Sequence, residues 1–170
     1  MKAIKPFLLF FLVFTVYSLS FAQTTELLDK LPVTKDEFVA SEKKVIATIN
    51  WLEDTPLDQD EEKRKAQYAL LVVWLTNSPT VTIEVNSRIL TFTKKNSDLL
   101  IIFMGGWTKY CLENNYSSDL TKGNIAGIKS AIKVYKKGIS LKKDKAMDKI
   151  IELDDKGELE KWVTEELSKK

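Results

Sequence analysis

The chain has 170 residues, 44% of them hydrophobic and 29% charged, with 26 basic against 24 acidic side chains, no histidine and one cysteine. The missing histidine removes the usual general base at neutral pH, every nucleophile arrangement that needs an imidazole, and nearly all zinc-site patterns. The lone Cys111 excludes an intrachain disulfide, and the near balance of charge excludes a net-charge argument for nucleic acid.

Residues 1–22 carry the three-part pattern of a secretory signal. Lys2 and Lys5 come first, the apolar run Phe7–Val16 is broken only by Thr15, and Ser20 and Ala22 are the small residues a signal peptidase reads. The run is short for a membrane span. Cleavage after Ala22 is therefore expected, giving a periplasmic or secreted product with no membrane span and a single helical domain over 23–170. Without Lys2 and Lys5 the 26 basic residues become 24, equal to the 24 acidic ones. The buried-looking Cys111 then behaves as a small hydrophobe.

Thr34 and Glu37 form a capping-box pattern, followed by Phe38, Val45, Ile49 and Leu52 at helical spacing. This predicts a helix to about Asp54 and a turn at Thr55-Pro56. A second helix is predicted to open at Asp58, with Asp60, Glu61 and Glu62 where the helix dipole favours negative charge. Its second half, Tyr68–Leu75, is apolar all round and predicts a surrounded helix that stops at Asn77-Ser78-Pro79. The next stretch, TVTIEV at 80–85, alternates like a strand, yet Val81, Val85, Ile89 and Phe92 step like a helix. With no partner strand in the chain, an extended lead and a helix from Asn86 to Lys94 are expected.

Ser97 or Asp98 caps the greasiest segment, LLIIFMGGWTKYCLENN from Leu99 to Asn115. It reads as a central helix. Gly105 and Gly106 each cost about 1 kcal/mol against alanine inside a helix, and close approach of a neighbouring helix is the leading offset. The competing expectation is a ligand pocket floored by Gly105 and Gly106 and walled by Trp107 and Tyr110, with Glu113 as a hydrolytic carboxylate. Ile125, Ile128, Ile132 and Tyr135 line a helix over Leu120–Lys137, in which Gly123 and Gly127 stand four apart and point to tight contact. Met147, Ile150, Ile151 and Leu153 line one over Lys142–Asp155, and Leu159, Trp162, Val163 and Leu167 one from Glu158. The fold class is all-α, as a compact multi-helix bundle or a short helical-hairpin array.

Nine lysines lie between Lys122 and Lys149, opposed locally only by Asp144 and Asp148. Lys129, Lys133, Lys136 and Lys137 flank the apolar stripe and are the first candidate contact for an anionic envelope partner: a lipid headgroup, an acidic glycan or an acidic protein face. The competing reading is a solvated face balanced by acids elsewhere in the fold. With only Arg64 and Arg88, two-point recognition of phosphate or carboxylate is weakly supported. The acidic groups at 58–62 and 152–155 sit at helix ends, where capping and solvation explain them. No calcium loop, glycine-rich phosphate loop, CxxC pair or metal-binding helix pair occurs, so no cofactor or metal is expected. The leading expectation is an exported, non-enzymatic helical protein that binds an envelope partner or acts as an accessory factor. A ligand-binding or hydrolytic site along Gly105–Glu113 is the alternative.

Overall fold

The computed structural model describes residues 26–169, so the expected signal and its cleavage point lie outside the described residues. Those residues are all-α, with helices α1 (Lys35–Asp54), α2 (Glu61–Asn77), α3 (Asp98–Glu113), α4 (Leu120–Tyr135), α5 (Lys145–Asp155) and α6 (Leu159–Ser168), and a 3-10 turn at Leu90–Thr93. None of these helices is long and apolar enough to cross a membrane.

α1 starts where its sequence dictates. The Glu37 amide donates to Thr34 Oγ1 at 3.3 Å, and Glu37 Oε2 accepts from the Thr34 amide at 3.1 Å, which satisfies two orphan donors reciprocally. α2 opens after Asp60, which sits in the left-handed region at φ 50°, a conformation aspartate tolerates better than most residues. The expected surrounded helix at Tyr68–Leu75 is not found. Leu71 and Trp74 are buried there, but Val73 is 40% exposed. α2 lies outside, against α1 and α3, and anchors itself through those two side chains.

The expected helix Asn86–Lys94 is also replaced. Residues 81–86 run without a turn or bend, and a tight turn and the short 3-10 segment follow. The Asn86 side chain accepts from the Arg88 amide at 2.9 Å, and Thr93 Oγ1 donates to the Leu90 carbonyl at 2.8 Å. Such local bonds compete with an α-helix. The turn still buries Ile89, Leu90 and Phe92, but Val85, counted in the helical stripe, is 55% exposed.

α3 is the central element, with Leu99, Ile102, Phe103, Gly105, Gly106, Trp107, Thr108 and Cys111 buried. α1, α2, α4 and the 3-10 turn all touch it, and α4 runs closely along its length. Glycines make that approach possible. A Cβ on Gly127 would stand 2.6 Å from the Phe103 carbonyl oxygen, and one on Gly123 would stand 2.1 Å from the Trp107 indole nitrogen. On the facing helix, a Cβ on Gly106 would stand 2.2 Å from Ser130 Oγ and 2.9 Å from the Ala126 carbonyl oxygen. α4 also reaches α1 and α6. These contacts between elements distant in sequence make a bundle around the α3–α4 pair, not a linear array.

Candidate functional site

The densest charged constellation sits at the C-terminal end of α1. Glu53 and Asp54 lie where a helix presents partial negative charge, so both need cations from elsewhere. α4 supplies them. Lys133 Nζ is 3.0 Å from Glu53 Oε2 and 2.8 Å from Asp54 Oδ1. Lys137 Nζ donates to the Glu53 and Asp54 backbone carbonyls, both at 2.7 Å. Ser130 Oγ donates to Glu53 Oε1 at 2.7 Å, which fills the other oxygen of a carboxylate only 3% exposed. From α3, Lys109 Nζ lies 3.9 Å from Glu53 and donates to Asn50 Oδ1 at 2.7 Å.

Arg64 of α2 closes the same helix end from the other side. It is 4% exposed and donates to the carbonyls of Leu52, Thr55 and Pro56 at 3.1, 2.6 and 3.0 Å. Its guanidinium also lies over the Trp51 and Tyr68 rings, at 5.5 and 5.8 Å from their centroids. Among the described residues α1 thus ends in a cage of cations drawn from three other helices.

Ser130 and Lys133 stand three apart on one helix, the spacing of a serine–lysine hydrolase pair. The electrostatics oppose that chemistry. Burial alone would lower the Lys133 pKa, but the hydrogen bonds it donates to Asp54 and Glu53 outweigh it and hold the ammonium above its ordinary value. A lysine kept charged cannot accept the serine proton, and the Ser130 hydroxyl already donates to Glu53. The constellation is a clamp that fastens α1 to α4.

The four lysines expected to meet a partner all face inward-directed or neighbouring acceptors. Lys133 and Lys137 belong to the clamp. Lys129 lies 3.8 Å from Asp154 and Lys136 lies 3.5 Å from Asp155. The local sequence count missed these acids because they arrive from the ends of α1 and α5. The fold thereby balances a face that looks lopsided in sequence.

The residues expected to line a pocket do not converge. Gly105 faces α1, where an added Cβ would meet Ile49 side-chain atoms at 3.3 Å. Gly106 faces α4, and Trp107 lies over Gly123. Tyr110 reaches Ser117 at 3.4 Å, and Glu113 is exposed at the end of α3. Beside Gly105 the side chains of Ile49, Leu52, Leu71 and Ile102 leave no room for a water molecule. Trp107 alone reaches a cleft, of about 270 Å³, bordered by Asn86, Arg88, Leu120 and Asn124. A more apolar cleft of about 360 Å³ lies between residues 28–33 and α1, against Leu31, Pro32, Val33 and Ala40.

A second cationic group joins four of the nine lysines counted in the sequence, Lys142, Lys143, Lys145 and Lys149, to two that were not, Lys94 and Lys95. Asn96, before α3, donates to the Lys142 carbonyl at 2.9 Å and accepts from the Lys142 amide at 2.8 Å. Lys95 Nζ donates to the Lys143 carbonyl at 3.4 Å. These bonds staple the loop before α3 to the loop before α5, although the two lie 46 residues apart. Lys94, Lys95, Lys142, Lys143, Lys145 and Lys149 are all exposed, and among the described residues none is within ion-pair distance of a carboxylate. Of the intervening acids, Asp144 is buried and caps α5 through the Ala146 amide at 3.0 Å while its other carboxylate oxygen has no partner, and exposed Asp148 faces the Tyr135 hydroxyl at 3.5 Å. The signal available in sequence was the Lys94-Lys95 pair, but nothing local links it to residues 142–149. No family model matches the chain, and neither a curated protein nor a solved structure is similar to it.

Proposed function

We propose that this is an exported, non-enzymatic helical protein that binds an anionic partner of the cell envelope through the stapled lysine patch at Lys94, Lys95, Lys142, Lys143, Lys145 and Lys149. The observation that carries this reading is the division of the lysines. Those on α4 are matched by internal acids or carbonyls, while those brought together by Asn96 are exposed and unmatched. An unmatched cluster attracts anions at long range, and lysine does so as a point charge without selecting one geometry. The signal-like sequence at 1–22 supports export, and the absence of histidine supports a non-enzymatic role.

Cosedimentation with phosphatidylglycerol-containing vesicles, compared with phosphatidylcholine vesicles, tests the proposal. Replacing Lys142, Lys143 and Lys149 together by Gln is expected to weaken anionic-vesicle binding on the order of a hundredfold, at about 1 kcal/mol per surface lysine. Replacing Lys129 and Lys136 by Gln is expected to change it less than about threefold, because each already has an acid partner. Rising salt should weaken the unaltered protein steeply and the triple variant, which keeps Lys94, Lys95 and Lys145, less steeply. Equal loss from both sets of substitutions would contradict the reading.

A further inference from the structure

Residues 80–85 carry β-branched side chains at five of six positions, and burial alternates over 81–84: Val81 is 4% exposed, Thr82 is exposed, Ile83 is half-buried and Glu84 is exposed. Residues 81–86 lie beside α2 and α3 without a turn or bend. Among the described residues no backbone N–H or C=O of 82–85 has a hydrogen-bond partner. A cleft of about 320 Å³ with a mixed polar and apolar lining follows the segment, bordered by Leu75, Thr76, Ser78, Val81, Ile83 and Met104. Unpaired extended backbone at the surface is the arrangement that strand addition uses: main-chain bonds give affinity and alternate side chains give specificity.

We propose that residues 81–85 pair antiparallel with the same segment of a second copy, in a two-fold register centred on Ile83. The segment is self-complementary in that register. Val81 faces the partner's Val85, Thr82 faces the partner's Glu84, and Ile83 faces Ile83, so the β-branched apolar residues share one face. The one charge of the segment, Glu84, meets a neutral threonine and never another carboxylate. Pairing also covers Val85, which is 55% exposed in a single copy. A ribbon of this length is marginal alone, so the dimer is weak and depends on concentration.

The register supplies its own test, at a residue that is exposed and makes no side-chain hydrogen bond among the described residues. Sedimentation velocity of residues 23–170 over a range of concentrations should show a reversible monomer–dimer equilibrium. Thr82→Lys places a cation opposite the partner's Glu84 twice in each dimer and is expected to tighten dimerisation on the order of fivefold. Thr82→Glu opposes like charges and is expected to weaken it by a similar factor. Helical circular dichroism unchanged in both variants shows that folding is intact, and Thr82→Ser serves as a neutral control should either variant fail to fold. A monomer at every concentration, or a dimer indifferent to the charge at residue 82, overturns the proposal. If the dimer is absent and an unrelated extended peptide protects the 82–85 amides from exchange, the occupant is a different chain and the two-fold register is wrong.

Discussion

Gly127→Ala is expected to destabilise the fold by about 2 kcal/mol or more, although alanine is the better helix former by about 1 kcal/mol. The new methyl would fall 2.6 Å from the Phe103 carbonyl oxygen and 2.7 Å from its ring. A backbone oxygen in the middle of α3 cannot move aside, so the two helices must separate and their shared core loosen. Gly123→Ala is expected to behave alike, because its methyl would strike the Trp107 indole, a large side chain only 1% exposed. Gly105→Ala is the control. Its methyl meets two side-chain carbons of Ile49 at 3.3 Å, and a shift of a few tenths of an ångström in Ile49 accommodates it. That variant should stay within about 1 kcal/mol of the parent, since the gain in helix propensity offsets the crowding. Urea unfolding midpoints compare all three. Equal effects at residues 105 and 127 would contradict the close approach of α3 and α4.

Lys133→Met is expected to cost about 2 kcal/mol. Removing one partner of a buried pair costs roughly 3–5 kcal/mol. The smaller figure applies here because the Lys133 side chain is 47% exposed and Glu53 keeps its bond from Ser130. The double variant Glu53→Met/Lys133→Met should recover much of the loss, because no lone carboxylate then remains buried. The pair also predicts a direction with pH. The Lys133 pKa is raised on folding, so its contribution is fully present below the ordinary lysine value of 10.5 and is lost as pH rises through the folded value. The unaltered protein should therefore weaken above about pH 10.5, and Lys133→Met should weaken less. The slope will not vanish, because Lys44, Lys65 and Lys156 are raised in the same way by carboxylate partners. Denaturant melts at pH 8 and 11 on both proteins measure the difference.

Short-range patterns made most of the helices readable from sequence. The Thr34–Glu37 box, the proline and glycine stops and the 3.6-residue stripes act within a turn or two, and α1, α3 and α4 begin where those patterns place them. Tyr68–Leu75 misled because an apolar run records what a helix can bury and not how many neighbours it has. The extended reading of TVTIEV holds, but the stripe continued through Val85, Ile89 and Phe92 misled, because local side-chain bonds at Asn86 and Thr93 replace the expected helix with a turn and a 3-10 segment. The lysines show the same boundary most clearly. Asp54 and Lys133 lie 79 positions apart, and Asn96 and Lys142 lie 46 apart, so no window along the chain pairs or staples them. One clue was present: two acids at the C-terminal end of a helix are unfavourable unless cations arrive from another element.

The bundle depends on α3 being sealed inside it by α4. Cys111, the one cysteine of the chain, is 2% exposed on α3, and burial pushes its thiol pKa up. Its reaction with an excess of a water-soluble disulfide reagent measures that seal. In the native protein the rate is predicted to equal the rate of global unfolding and to be independent of reagent concentration. Labelling as fast as in denaturant, with a rate proportional to reagent, would show that α3 is open to solvent and that the arrangement described here is wrong.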